Sequence, residues 1–324
     1  MRFMLVTSKR FLTFSDLFPR HLCYTFDKER GMAMTDYKPI RLLASDLDGT
    51  LYDDLQHPGQ ISAANQAAIR RWTEAGNRFL IATGRRACTK QEIFKNYQID
   101  CDILACNGAK VILDKEVLWN REIMPPELSE LCDLCEPFRD ELDFVLDIDI
   151  EERITFQANS LIQQRFPDDL YLQQVRDFLA SAQTDYPNKI FMVLKDPARQ
   201  AFFLDYFGRH FKGRLAVTSS GPDLVEMSCE GCSKGRALLT ILDRLGLDAD
   251  QAAAIGDEQN DLDMLQSIPF GFAMSSARPA IKAQVPYSID SVSDLIDACL
   301  AYNAACFSKS SLDKMNFPAA YRYR

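Results

Sequence analysis

Two aspartates one residue apart, Asp46 and Asp48, close a short, mostly apolar run and are followed by Gly49 and Thr50. Carboxylates at i and i+2 after a strand can both reach the crevice at its carboxyl end, where open α/β sheets bind ligands. Gly49 permits the tight turn that lets them converge. An EF-hand loop also begins Asp-x-Asp, but its glycine would have to fall at Leu51, and the run before it is strand-like rather than helical. The plain alternative is a pair of solvated aspartates in a turn.

Three further segments bear on that choice. Thr83-Gly84-Arg85 ends a second strand-like run and would bring a hydroxyl to the same sheet edge. Gly256-Asp257-Glu258-Gln259-Asn260-Asp261 ends a third and leads into a helix. Lys234 opens a helical segment with Ser233 as N-cap, apolar positions at Ala237, Leu238, Ile241, Leu242 and Leu245, and a stop at Gly246. A cation there opposes the helix dipole by about 0.3–1 kcal/mol unless an anion is near. A phosphate would resolve the conflict; an exposed lysine in solvent would not need one.

The charges also ask for a metal. Asp46, Asp48, Asp257 and Asp261 converging with a phosphate repel one another by about 4 kcal/mol per pair near ~4 Å at an effective dielectric of about 20. Lys234 alone cannot balance that. A hard divalent cation held by oxygens can, and all-oxygen ligation favours magnesium over zinc.

Composition narrows the field. The net charge is −9, from 37 basic and 46 acidic residues, which disfavours nucleic acid as a partner. No stretch reaches the roughly 18 uninterrupted apolar residues of a membrane span, so neither a nucleic-acid nor a membrane partner is expected. Ten cysteines without a secretory signal pattern imply reduced thiols and a cytoplasmic protein. Cys132-x-x-Cys135 and Cys229-x-x-Cys232 could offer four thiolates to zinc, but the first pair sits in a helix-like stretch far from the second. Gly231-Cys232-Ser233-Lys234-Gly235 matches a serine-hydrolase elbow, yet that fold places its histidine after the serine. His21, His57 and His210 all precede Ser233.

The elements that would position these groups alternate. Ile40 to Ser45, Arg78 to Ala82 and Ile103 to Ala105 are of strand length, and Ala63 to Trp72 has helical spacing. That alternation predicts a doubly wound parallel α/β sheet over residues 37–120 and 229–302. From 121 to 228 the texture changes, with strands at Phe144 to Ile150 and Lys189 to Lys195 and helices at Pro125 to Glu136 and Asp168 to Ala182. This predicts an inserted α+β cap. Residues 1–36 carry no periodic apolar face and are expected to be an extension outside the fold, either an upstream start or a basic leader. Residues 303–324 read as a tail.

Taken together and in this order, the four motifs resemble the haloacid dehalogenase superfamily, and the chain is most similar to its Cof-type phosphatases. The resemblance runs from about Tyr37 to Leu300 and includes Asn107-Gly108-Ala109 after the third strand. It implies that Asp46 accepts the phosphoryl group and that Asp48 is the general acid and base. It implies further that Thr83, Gly84, Lys234 and Asn260 hold the phosphate, and that Asn107 contacts the substrate. Magnesium would be ligated by Asp46, Asp257 and the backbone carbonyl of Asp48, with Asp261 orienting metal-bound water. The chain departs from the subfamily at Ser275-Ser276-Ala277, where members show Gly-Asn-Ala, and at Ser291 to Asp294, where Asp-Gly-Val is usual. These departures touch the substrate subgroup and leave the four motifs intact. The expected activity is hydrolysis of a small phosphorylated metabolite such as a sugar phosphate, nucleotide or vitamin phosphate. A phosphotransferase or phosphomutase with the same intermediate, or a binding protein without turnover, are the alternatives. Oligomeric state and the residues that select the leaving group have no signature in the sequence.

Overall fold

The computed structural model describes residues 38–54, 57, 59–148, 153–157, 160–165, 172–181 and 183–314, with the backbone of four short strands before them. Those strands form two hairpins, Met4–Thr7 with Arg10–Thr13 and Tyr24–Asp27 with Gly31–Met34. Each is a two-stranded sheet by itself. The sequence pattern predicted no strands there; the rest of the expected extension, like residues 315–324 of the expected tail, lies outside the described residues. The chain divides into two units, Met1–Ile81 with Ile99–Cys101 and Leu238–Arg324, and Ala82–Gln98 with Asp102–Ala237. Asp46, Asp48, Asp257, Asn260 and Asp261 belong to the first unit; Thr83, Gly84, Asn107 and Lys234 belong to the second.

The first unit is built on parallel strands in the order Tyr287–Ile289, Phe270–Met274, Ala252–Gly256, Leu42–Ser45, Arg78–Ala82. Leu42–Ser45, Ala252–Gly256 and Phe270–Met274 are buried at every position. Continuous apolar runs of this kind are what a parallel sheet covered on both faces requires. Leu42–Ser45, the earliest of these strands in the chain, is central. Arg78–Ala82, the next in the chain, lies on one side and Ala252–Gly256 on the other, so the order reverses at Leu42–Ser45 and makes a topological switch point. Helix Ala63–Glu74 is capped by Ser62, whose hydroxyl accepts the Asn65 N–H, and the indole of the buried Trp72 donates to the Arg78 carbonyl at 2.8 Å.

The C-terminal end differs from expectation. The helix beginning at Val292 runs to Lys314 and packs on Ala63–Glu74. Asn303, expected in the tail, is buried; its amide accepts the Ile40 N–H at 2.7 Å and donates to the Ile40 carbonyl at 2.8 Å. Both backbone groups lie just before the central strand. Asn303→Ala leaves them unpaired in an apolar surround and should destabilise the protein by about 2–4 kcal/mol, read as a lowered urea midpoint at unchanged slope.

In the second unit, Asp102–Ala105, Lys110–Leu113 and Glu116–Asn120 form an antiparallel meander. A six-stranded sheet follows the order Leu172–Gln174, Arg153–Thr155, Leu142–Asp147, Lys189–Leu194, Leu224–Cys229, Leu215–Gly221. Leu146, Ile190, Met192, Val225 and Met227 of this sheet share an apolar cluster with helices Pro125–Cys135 and Gln200–His210. Of the helix expected over 168–182, Val175–Ala180 is helical and Leu172–Gln174 is a strand. Residues 168–171 and 182 of that expectation lie outside the described residues, as do 149–150 of the strand expected to reach Ile150.

Candidate active site

In the first unit the carboxylates gather at the switch point. The Asp46 N–H donates to the Ile255 carbonyl at 2.9 Å, extending the ladder by one bond and fixing Asp46 where two parallel strands end. Asp257 follows Gly256 at the carboxyl end of the adjacent strand. Asp46, Asp257 and Asp261 each present an oxygen within 4.8 Å of the others. Asp46 is 6% exposed and Asp261 is fully buried. Asp48 lies outside this trio and its side chain is exposed.

Short backbone devices hold the trio. The Thr50 hydroxyl donates to Asp257 Oδ1 at 2.8 Å. Gly49 has φ +82°, and a Cβ there would stand 2.5 Å from Asp257 Oδ2, so the turn and the carboxylate can approach only over a glycine. Asp261 Oδ2 accepts the N–H groups of Asp257 and Glu258, both at 3.0 Å. One Asp261 oxygen is thereby committed to the loop. Asn260 is exposed in the same turn. Three carboxylates this close repel by roughly 3 kcal/mol per pair at an effective dielectric of about 20, and their all-oxygen donor set fits a hard divalent cation.

The second unit assembles the other groups around one turn. Cys106, Asn107 and Gly108 are consecutive left-handed residues, with φ of 49°, 53° and 95°. The Asn107 N–H donates to the Thr83 carbonyl at 3.0 Å and the Cys106 N–H to the Arg85 carbonyl at 2.9 Å. The Trp119 indole donates to the Gly108 carbonyl at 3.1 Å. A Cβ at Gly84 would be 3.3 Å from Asn107 Oδ1, and one at Gly108 would be 2.5 Å from the Ser233 carbonyl oxygen. The turn thus lies against both the Thr83 loop and the residue before Lys234. Thr83 and Lys234 are fully buried, which removes the alternative of a lysine in solvent. The helix Lys234–Leu245 follows, with the Arg236 N–H donating to Ser233 Oγ and Gly246 in the left-handed conformation after it.

Sequence reasoning missed Cys106, Gly108 and Thr50 as positioning residues. The Asn-Gly dipeptide was the available signal for the left-handed turn. Cys132 and Cys135 are buried in the apolar cluster, and burial pushes the Cys132 thiol up to about 11 and the Cys135 thiol well up. Among the described residues the Asp46 trio is the one grouping with metal-ligand geometry. Ser275 and Ser276, which depart from the subfamily pattern, are exposed after Met274. Among the same residues no helix is long and apolar enough to cross a membrane.

A family model described as haloacid dehalogenase-like hydrolase matches residues 43–298. The 5-amino-6-(5-phospho-D-ribitylamino)uracil phosphatase YcsE of Bacillus subtilis is 25% identical over 255 residues, covering 78% of this chain and 90% of the relative. An HMP-PP phosphatase of Escherichia coli O6:H1 is 27% identical over 247 residues, covering 76% and 88%. The crystal structure of a haloacid dehalogenase-like hydrolase from Bacteroides thetaiotaomicron gives a TM-score of 0.68 at 24% identity, over 80% of this chain and 98% of that one. The matched span runs from the strand bearing Asp46 to the C-terminal helix, and the chain belongs to the haloacid dehalogenase-like hydrolases, in their Cof-type branch.

Proposed function

We propose that this protein is a magnesium-dependent phosphatase that hydrolyses a small phosphorylated metabolite through a phosphoaspartate on Asp46. The observation that carries the reading is the carboxylate trio of buried Asp46 and Asp261 with half-buried Asp257 at a switch point in a chain of this family. The two curated relatives are named phosphatases, and both named substrates are small phosphorylated metabolites. Asp46 attacks phosphorus, and the bond to the leaving oxygen breaks. Asp48 gives that oxygen its proton, then takes one from the water that releases phosphate from Asp46. Thr83, Gly84, Lys234 and Asn260 hold the non-reacting phosphate oxygens, and Asn107 orients the substrate. Asp46, Asp257 and the Asp48 carbonyl would hold the cation, with Asp261 aligning its outer water; magnesium, when bound, supplies the charge that offsets carboxylates and phosphate. A cytoplasmic setting follows from ten cysteines without a secretory signal pattern.

A turnover screen against phosphorylated sugars, nucleotides and vitamin precursors with magnesium tests the reading; no hydrolysis of any of them, nor of an aryl phosphate, would overturn it. Calcium should occupy the carboxylates yet support little turnover. It accepts roughly 6–8 oxygens at longer distances and would engage the carboxylate of Asp46 more fully, taking it from the attack on phosphorus. Full activity in calcium, or after exhaustive chelation, would contradict the role given to Asp257.

A further inference from the structure

One charged group in the second unit has no part in the phosphatase chemistry. Lys189 begins the strand Lys189–Leu194, is 6% exposed, and shares a sheet face with Asp147 and Glu226. That face is the one opposite Ile190 and Met192, which enter the apolar cluster. Lys189 Nζ lies 3.5 Å from Asp147 Oδ2 and donates to Glu226 Oε1 at 3.2 Å. Its third partner is the backbone carbonyl of Gly84, at 2.9 Å. Two of the ammonium's hydrogens meet acceptors, on Gly84 and Glu226, and Asp147 stands at ion-pair distance. Burial by itself would push this lysine down, and the two carboxylates more than offset that, so it stays charged.

The Gly84 contact has a geometric consequence. No peptide bond among the described residues is cis, so the Gly84 carbonyl and the Arg85 N–H point in opposite directions from one planar unit. The carbonyl is held by Lys189, and the Arg85 N–H donates to Thr83 Oγ1 at 3.0 Å. Fixing the oxygen fixes the N–H, and the N–H sets the rotamer of the Thr83 hydroxyl. Accepting in that direction, the hydroxyl keeps its own hydrogen to donate. The same loop is anchored again where Arg86 Nη1 donates to the Ile148 carbonyl at 3.0 Å, one residue beyond Asp147.

We infer that Lys189, set between Asp147 and Glu226, is a positioning residue that orients the Thr83 hydroxyl toward substrate phosphate by holding the Gly84–Arg85 peptide. The inference rests on the phosphatase reading, which makes Thr83 a phosphate donor. It also names a purpose for a buried charge that a purely structural strand would replace with an apolar residue at little cost.

Two variants separate the orienting role from mere support of the fold. Lys189→Arg keeps the charge between the carboxylates, but its branched guanidinium cannot place a single donor where Nζ stands. Lys189→Met combined with Glu226→Gln keeps the net charge of the three groups at −1 while removing the contact. Each should weaken inorganic phosphate binding, and raise KM for p-nitrophenyl phosphate, by about tenfold, with the magnesium requirement unchanged. Glu226→Gln alone, which leaves the Gly84 contact in place, should bind phosphate as the wild type does. In a Thr83→Val background the Lys189 substitutions should add almost nothing, since the hydroxyl they act through is gone. Wild-type phosphate affinity in Lys189→Arg, or losses that add independently of Thr83, would overturn the inference. A wild-type protein that neither binds phosphate nor turns over the aryl ester would instead sink the phosphatase reading itself.

Discussion

Asp46→Asn should abolish turnover of every substrate, whatever its leaving group, while Asp48→Asn should fail selectively. The structure gives the two aspartates different surroundings. Asp46 is buried, tied through its N–H to Ile255, and within the carboxylate trio; Asp48 is exposed two residues further on. The amide at position 46 has no electron pair able to attack phosphorus, so the first step is lost entirely. The amide at 48 removes a proton donor and base but leaves the nucleophile. With p-nitrophenyl phosphate, whose leaving group needs little protonation, Asp46 is still phosphorylated while release of the phosphoryl group stalls. Rapid-quench kinetics of Asp48→Asn should show a burst of nitrophenol and a base-labile phosphate on Asp46, with alkyl phosphates almost inert. Equal inactivation of the two variants with no trapped phosphoenzyme would remove the division of roles, and phosphate on another residue would displace Asp46 from its place.

The parts of this site legible in the sequence are those set by local chemistry at a strand end. Leu42–Ser45 and Ala252–Gly256 declare themselves as short apolar runs, and the acidic loops after them can only emerge at one sheet edge. Lys234 is legible because Ser233 and Gly246 bracket its helix. Less legible are groups whose role depends on partners distant in the chain. Asn303 sits in a stretch without helical periodicity, and its value comes from Ile40, 263 residues earlier. Lys189 looks like an ordinary polar residue at the start of an apolar strand; only the register that sets Asp147 opposite it and Glu226 diagonally across makes it a buried charge. The helix expected over 168–182 shows the converse error, since a helical pattern in Leu172 to Gln174 yields to their pairing with Arg153–Thr155.

Gly108→Ala should cost activity far beyond its effect on stability. At φ +95° any L side chain is strained, and the added Cβ would stand 2.5 Å from the Ser233 carbonyl oxygen and 3.0 Å from its carbon. Both are backbone atoms, so no side chain can swing away to make room. Either the left-handed turn opens, moving Asn107 from the Thr83 carbonyl, or Ser233 retreats and takes the buried Lys234 with it. Each route displaces a group proposed to hold substrate or phosphate by a sizeable fraction of an ångström or more, and misplacement of about 1 Å costs about a hundredfold in rate. The expected result is therefore a fall of about a hundredfold in kcat/KM. Gly76→Ala supplies the control: its φ is +78°, and a Cβ there meets nothing within 4 Å. That variant carries the backbone strain alone and should lose about 1 kcal/mol of stability with kcat/KM unchanged. If the two glycine variants lose the same stability and both keep full activity, the turn at 106–108 is a structural corner and its hold on Asn107 and Lys234 is irrelevant to turnover.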